Sequence, residues 1–307
     1  MRVFRDLSAI PDDARGASAA IGNFDGVHLG HRHVIEMARG DASLGVVTFE
    51  PHPREVFAPD APPFRLMNAA AKRSRLEKMG VDTLFELDFR AVAGLSAEAF
   101  MADVIAGAMG LRRVVVGADF RFGKGRAGDV AALRGAAARL GFEVVAAELL
   151  EGDAGAVSST AIREALAEGR PRDAAAMLGH WHRIEGPVEH GEKRGRTLGY
   201  PTANQSLEGL HLPKFGVYAV LAEVRDGPHR GTHRGVASLG VRPMFGENRP
   251  NLESFLFDFA GDLYGATLSV ALVDFLRGEE RFDGVDALVA QMDEDAARAR
   301  RVLAAAA

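Results

Sequence analysis

Over the first 180 residues, short apolar runs alternate with segments of helical length and helical periodicity. The runs at 17–21, 44–49, 83–87, 113–117 and 142–147 predict strands, and the stretches near 31–38, 70–79, 97–109 and 130–140 predict helices. Strands separated by helix-length segments imply βαβ units and a mostly parallel sheet. Such sheets bind ligands beyond the C-terminal ends of their strands, where the loops here are rich in Gly and Pro. After Ser159, two short helices are expected at 160–168 and 171–178, with Gly169 just past the first and Pro171 opening the second. From Trp181 to Phe275 the period drops to two, as in 216–224 and 252–259. Closely spaced alternating strands with Gly and Pro turns predict an antiparallel barrel or sandwich. An amphipathic helix at 286–303 closes the chain. Two domains are therefore expected, 1–180 and 181–307.

Composition narrows the class. The chain has 307 residues, a 47% hydrophobic fraction and a 26% charged fraction, which excludes a largely disordered or fibrous protein. Its formal charge is -5, and both halves carry a slight acidic excess, so no broad basic face for nucleic acid is expected. Cysteine is absent, which removes disulfides, thiolate metal sites and a cysteine nucleophile. No apolar run approaches the roughly 18 residues of a membrane span, and the first residues do not form a signal peptide. A cytoplasmic protein, with no membrane or nucleic-acid partner, is expected.

Two segments carry candidate chemistry. The first, 22–31, follows the first predicted strand and opens a helix: Gly22, Gly26 and Gly30 allow a tight turn close to a ligand, and the helix N-terminus favours an anion. His28 and His31 fall on one face of the helix start and suit charge developing in a phosphoryl transition state. A polar helix start with solvated histidines has the same spacing. The second segment, 186–204, combines Gly186, Gly191, Gly195 and Gly199 with Lys193, Arg194 and Arg196, a basic loop able to cover phosphates but without Walker A spacing. Thr202 and Asn204 beside Pro201 offer two neutral oxygens of the kind Mg²⁺ accepts; a hydrogen-bonded turn would have the same sequence. Alternation through 252–259 puts Glu253 on one face with Phe255, Phe257 and Phe259, where a partly desolvated carboxylate can act as a base toward a hydroxyl. A strand-end glutamate reaching water is the plain alternative.

Longer ordered motifs decide between these readings. The 22–31 turn with its H-x-G-H form, Thr48-Phe-Glu-Pro-His-Pro53, Val116-Gly-Ala-Asp-Phe-Arg-Phe-Gly123 and Ser158-Ser-Thr-Ala-Ile-Arg163 resemble the adenylyltransferase motifs of the bacterial bifunctional riboflavin kinase/FAD synthetases. The loop at 186–199, Pro201-Thr-Ala-Asn204, Arg242-Pro243, Glu253 and Asp262-Leu-Tyr-Gly265 resemble that family's kinase half, in order. The resemblance implies an α/β Rossmann-like nucleotidyltransferase domain followed by a small antiparallel Greek-key β-barrel with a C-terminal helix. It implies ATP-dependent phosphorylation of riboflavin to FMN, then adenylylation of FMN to FAD with release of pyrophosphate. His28, His31 and Arg163 would act at the first site and Glu253 at the second. Gly22, Asn23, Asp25, Gly30, Ser159, Thr160, Gly191, Lys193 and Arg196 would bind nucleotide. Pro51, His52, Pro53, Phe57, Asp119 and Phe122 would bind flavin, and Thr202 and Asn204 would hold Mg²⁺ with ATP. A monomer or weak homo-oligomer is expected. Met67, His180, Gln205 and Met244 depart from the residues usual in the family.

Overall fold

The computed structural model describes residues 1–148, 151–152, 155–191, 198–244 and 247–305. Its residues divide into two compact units, 1–62 with 72–157, and 63–71 with 158–307.

In the first unit six parallel strands, β1 (Arg2–Phe4), β2 (Ser18–Ile21), β3 (Leu44–Glu50), β4 (Thr83–Asp88), β5 (Arg113–Gly117) and β6 (Glu143–Ala147), pair in the order β1-β4-β3-β2-β5-β6. The near-continuous apolar runs that predicted β2 to β5 are explained by burial on both faces. Ala19, Ile21, Val47, Phe85 and Val114 belong to one core that also takes Phe100, Ile105 and Leu133 from the covering helices. Strand β1 lies outside the predicted set; it has three residues, two of them exposed, and carries no alternation to detect. The expected helix at 97–109 is a short α-helix, Ala97–Ala99, that continues as a π-helix over Phe100–Ala108. Counting outward from β2, the chain first adds strands on one side (β3, β4) and then on the other (β5, β6). The crevice between β2 and β5 is therefore the switch point at which an open α/β sheet binds its ligand.

The first unit ends with a short antiparallel pair, β7 (Glu151–Gly152) and β8 (Gly155–Ala156), and the main part of the second opens with helices Ser159–Ala167 and Pro171–Leu178. Six antiparallel strands follow: β9 (Arg183–Pro187), β10 (Ala203–Ser206), β11 (Gly216–Val224), β12 (Gly231–Met244), β13 (Glu247–Leu256) and β14 (Thr267–Arg277). Their order is β10-β13-β12-β11-β14-β9. Strands β11, β12 and β13 form a meander and β14 returns beside β11, which is a Greek key. The free edges of β9 and β10 meet where the Glu189 N–H donates to the Asn204 carbonyl (2.8 Å) and the Gln205 amide donates to the Gly186 carbonyl (3.1 Å). Gln205, one of the unusual residues, is fully buried and its amide also donates to the Leu268 carbonyl (2.8 Å), so it staples three strands at this seam.

Inside the barrel lie Tyr218, Val220, Leu239, Leu252, Leu256 and Leu272. Outside it the helix Val285–Ala305 packs Ala299 and Leu303 on Val217, Ala219, Val273 and Phe257. The expected strand at 252–259 ends at Leu256, because Asp258 adopts a left-handed φ of 55°. Phe255 and Phe257 keep the outward face with Glu253, whereas Phe259 turns away and packs with the interior cluster.

Candidate active sites

In the first unit, the segment after β2 holds two of the four non-glycine residues with positive φ among the described residues. Phe24 (φ 49°) and Val27 (φ 44°) both lie in the left-handed region, at a cost of about 1–3 kcal/mol each for residues with a Cβ. The turn delivers His28 to the N-cap of helix Leu29–Met37, where its Nδ1 accepts from the His31 N–H (3.3 Å). In the neutral ring the remaining proton then sits on Nε2. The two imidazoles stack with centroids 3.6 Å apart, and Phe24 meets the His31 ring edge-on at 5.3 Å. Gly30 has to be small here, since a Cβ would come within 3.1 Å of the His28 ring. Burial, followed by the neighbouring His28 and Lys72, holds the His31 pKa well below its usual value. His31 is therefore neutral near pH 7, as at other helix N-termini where an imidazole donates without giving up its proton. Its Nδ1 is buried with no partner among the described residues.

A cleft of about 790 Å³ opens beside this pair. Its walls include Gly22, Asn23, His31, His52, Pro53, Phe57, Asp119 and Phe122, so eight of the residues singled out in the sequence converge on one space. His28, Asp25 and Gly30 sit in the turn behind that wall, and Pro51 precedes it without lining it. His52 caps helix Pro53–Phe57, its Nδ1 accepting from the Arg54 N–H (3.1 Å) and its own N–H donating to Glu55 (2.8 Å). Phe57 is 72% exposed and stands edge-on to Phe89 at 5.5 Å. Phe122 stacks on Phe120 at 5.6 Å, and a Cβ at Gly128 would strike its ring at 2.7 Å. Phe49, Phe89, Phe100, Arg54, Arg121 and Arg126 line the same cleft; sequence reasoning passed over them. Arg121 lies inside the 116–123 motif and Arg126 three residues beyond it, so membership and adjacency were the available signals. Phe89 and Phe100 had none, being single aromatics at element starts.

Ser159, Thr160 and Arg163 belong to the second unit, on helix Ser159–Ala167. The cap itself is Ser158, whose hydroxyl accepts from the Ala161 N–H (3.2 Å). Arg163 donates through Nε to the Phe64 carbonyl (2.6 Å), with its guanidinium 5.4 Å from the Phe64 ring.

On the barrel, Asn204 and Glu253 are direct cross-strand partners, so their side chains leave the sheet on the same face. Asn251 joins them, its amide donating to Asn204 Oδ1 (3.3 Å) and to Glu253 Oε1 (3.2 Å). Asn251 was missed in the sequence because an isolated strand asparagine carries no pattern. Gly191 leaves the space that Asn204 fills, since a Cβ there would meet its amide at 2.6 Å. Lys193 and Arg196 lie outside the described residues. Two cavities of about 240 Å³ each flank this group. One is lined by Pro201, Thr202, Phe259, Gly261 and Tyr264, the other by Thr202, Glu253, Phe255, Arg277, Met292 and Asp295. Thr202 is a wall of both. The neutral oxygens of Thr202 and Asn204, close to one carboxylate, match the hard donors Mg²⁺ takes while keeping waters and phosphates.

A family model for FAD synthetase matches residues 10–161, and one for riboflavin kinase matches residues 178–303. The chain is 41% identical, over 99% of its length and 98% of the relative's, to a bifunctional riboflavin kinase/FMN adenylyltransferase of Pseudomonas fluorescens. It is 39% identical to the protein of the same description from Escherichia coli K12, over 98% of this chain and 96% of that one. Among solved structures, one described as a macrolide-efflux protein from Streptococcus pneumoniae superposes with a TM-score of 0.80 at 33% identity, covering 95% of this chain and 96% of that one. Fold likeness does not carry that protein's described role across, because function resides in the site. Among the described residues no helix is long and apolar enough to cross a membrane.

Proposed function

The chain belongs to the bifunctional riboflavin kinase/FMN adenylyltransferases, and we propose that residues 1–180 adenylylate FMN while residues 181–307 phosphorylate riboflavin. The observation that supports this division is that each unit has its own cavity with its own polar set. One has a stacked pair of imidazoles, the other a carboxylate paired across strands with an asparagine.

At the barrel, Glu253 takes the proton of the riboflavin 5′-hydroxyl as its oxygen attacks the γ-phosphorus of ATP, and ADP leaves. Thr202 and Asn204 would hold Mg²⁺ with the nucleotide, and the ion would supply charge neutralisation on the phosphates. Gly191, Lys193 and Arg196 belong to the loop that covers those phosphates. At the other site a phosphate oxygen of FMN attacks the α-phosphorus of ATP, and pyrophosphate leaves. His28 and the neutral His31 donate hydrogen bonds to the oxygens where negative charge grows. Gly22, Asn23, Asp25 and Gly30 shape the nucleotide side; for Ser159, Thr160 and Arg163, nucleotide binding rests on the resemblance of 158–163 to the family motif. Pro51, His52, Pro53, Phe57, Asp119 and Phe122 receive the flavin ring, for which apolar and aromatic surfaces are the natural contact. A monomer or weak homo-oligomer in the cytoplasm completes the reading.

The test is a time course with riboflavin, ATP and Mg²⁺ in which the flavins are separated. FMN is expected before FAD. His28→Ala should abolish FAD and spare FMN; Glu253→Ala should abolish FMN and spare FAD when FMN is supplied. Equal loss of both activities in each variant would break the two-site division.

A further inference from the structure

Lys72 is fully buried beneath the strained turn of the first unit. Its ammonium lies 3.1 Å from the Asn23 carbonyl, 3.1 Å from Thr48 Oγ1 and 2.9 Å from a Glu50 carboxylate oxygen. Three protons meet three acceptors, so the charge is fully answered. Such a pair is no gain in stability by itself, since well-packed apolar residues of similar volume do as well or better in the same space. What an apolar residue could not do is hold Asn23. That carbonyl opens the turn, its residue lines the cleft, and the next four residues include both left-handed positions, Phe24 and Val27. The Thr48 hydroxyl donates to the same carbonyl (3.1 Å), so strand β3 and Lys72 grip one atom together.

We propose that Lys72 is a positioning residue for adenylyl transfer, pinning the Asn23 carbonyl so that the turn delivers His28 and His31 in stacked register. The proposal rests on His28 and His31 serving the adenylyl-transfer step. Lys72 is not among the residues lining the cleft; it acts through the backbone of the turn. Its charge also adds to the burial that keeps His31 neutral, so the same residue sets where the imidazole stands and which form it takes.

The experiment uses the full chain, measuring FMN to FAD with ATP and Mg²⁺, and riboflavin to FMN in the same preparation. Lys72→Met should lower kcat and kcat/KM for FAD formation together, by roughly tenfold or more, because misplacement of a group that acts in the transition state is felt there. Riboflavin phosphorylation should be unchanged. Lys72→Met leaves Glu50 without its ammonium, so the double variant Lys72→Met/Glu50→Gln removes that burden and should unfold within a few degrees of the parent. A positioning role keeps the double variant slow; a merely structural role returns it to the parent kcat. Parent kcat in either variant overturns the assignment. His28→Ala, run alongside, separates the two readings: if it makes FAD normally, the premise about the histidines fails, and if it is inactive while Lys72→Met is normal, only the role of Lys72 fails.

Discussion

His182 is fully buried in the second unit, and its pKa is pushed down to about 3, first by burial and then by His180 and His211. The unfolded chain takes up a proton near pH 6.5 that the folded chain refuses until about pH 3. Stability from this residue is therefore whole above pH 6.5 and drains as the pH falls, by at most about 1.4 kcal/mol per pH unit. Denaturant unfolding of the barrel unit at pH 7, 6 and 5 should show that slope, and His182→Asn should flatten it by about one proton. His28 and His31 were legible as a pair because the spacing of H-x-G-H survives in one dimension. Their stacking, and the neutrality of His31, were not; the latter comes first from burial, then from His28 and from Lys72, which arrives from far along the chain. Asn251 and Lys72 illustrate the same limit. Each matters through a single contact made in three dimensions, and single residues leave no period to count.

Elements were more legible than residues where burial imposed a period. Strands β3 to β6 and β11 stand within about a residue of their expected places, since their runs answer to burial on a sheet face. The end of β13 was not legible, because alternation continues to Phe259 while the backbone breaks at Asp258. The terminal helix Val285–Ala305 was expected as an amphipathic element, yet its task is invisible without the barrel. Asp295 on this helix forks Arg277 at 3.0, 3.0 and 2.7 Å, and both residues wall the cavity that holds Glu253. With Asp295 5% exposed, Asp295→Ala removes the forked partner of a largely buried cation. The expected loss is about 3–5 kcal/mol of barrel stability, read by chemical denaturation.

Each unit carries its own core, one around Ile21, Val47 and Ile105, the other around Tyr218, Val220 and Leu272. A single cooperative transition is a property of single domains. Calorimetry of the whole chain should therefore need two transitions, and the His182→Asn substitution should move only one of them as the pH changes. An intact two-state trace, with calorimetric and van't Hoff enthalpies equal, would contradict this. The barrel holds one more consequence. Thr202 is a wall of both small cavities, on the strand side of the seam where β10 meets β9. A partition shared by two rooms cannot be moved without resizing both. Variation at position 202 that admits a bulkier guest on one side must crowd or loosen the other. What the two cavities admit is thus inherited together, and a lineage drifting toward a new occupant on one side would need a compensating change across the same hydroxyl.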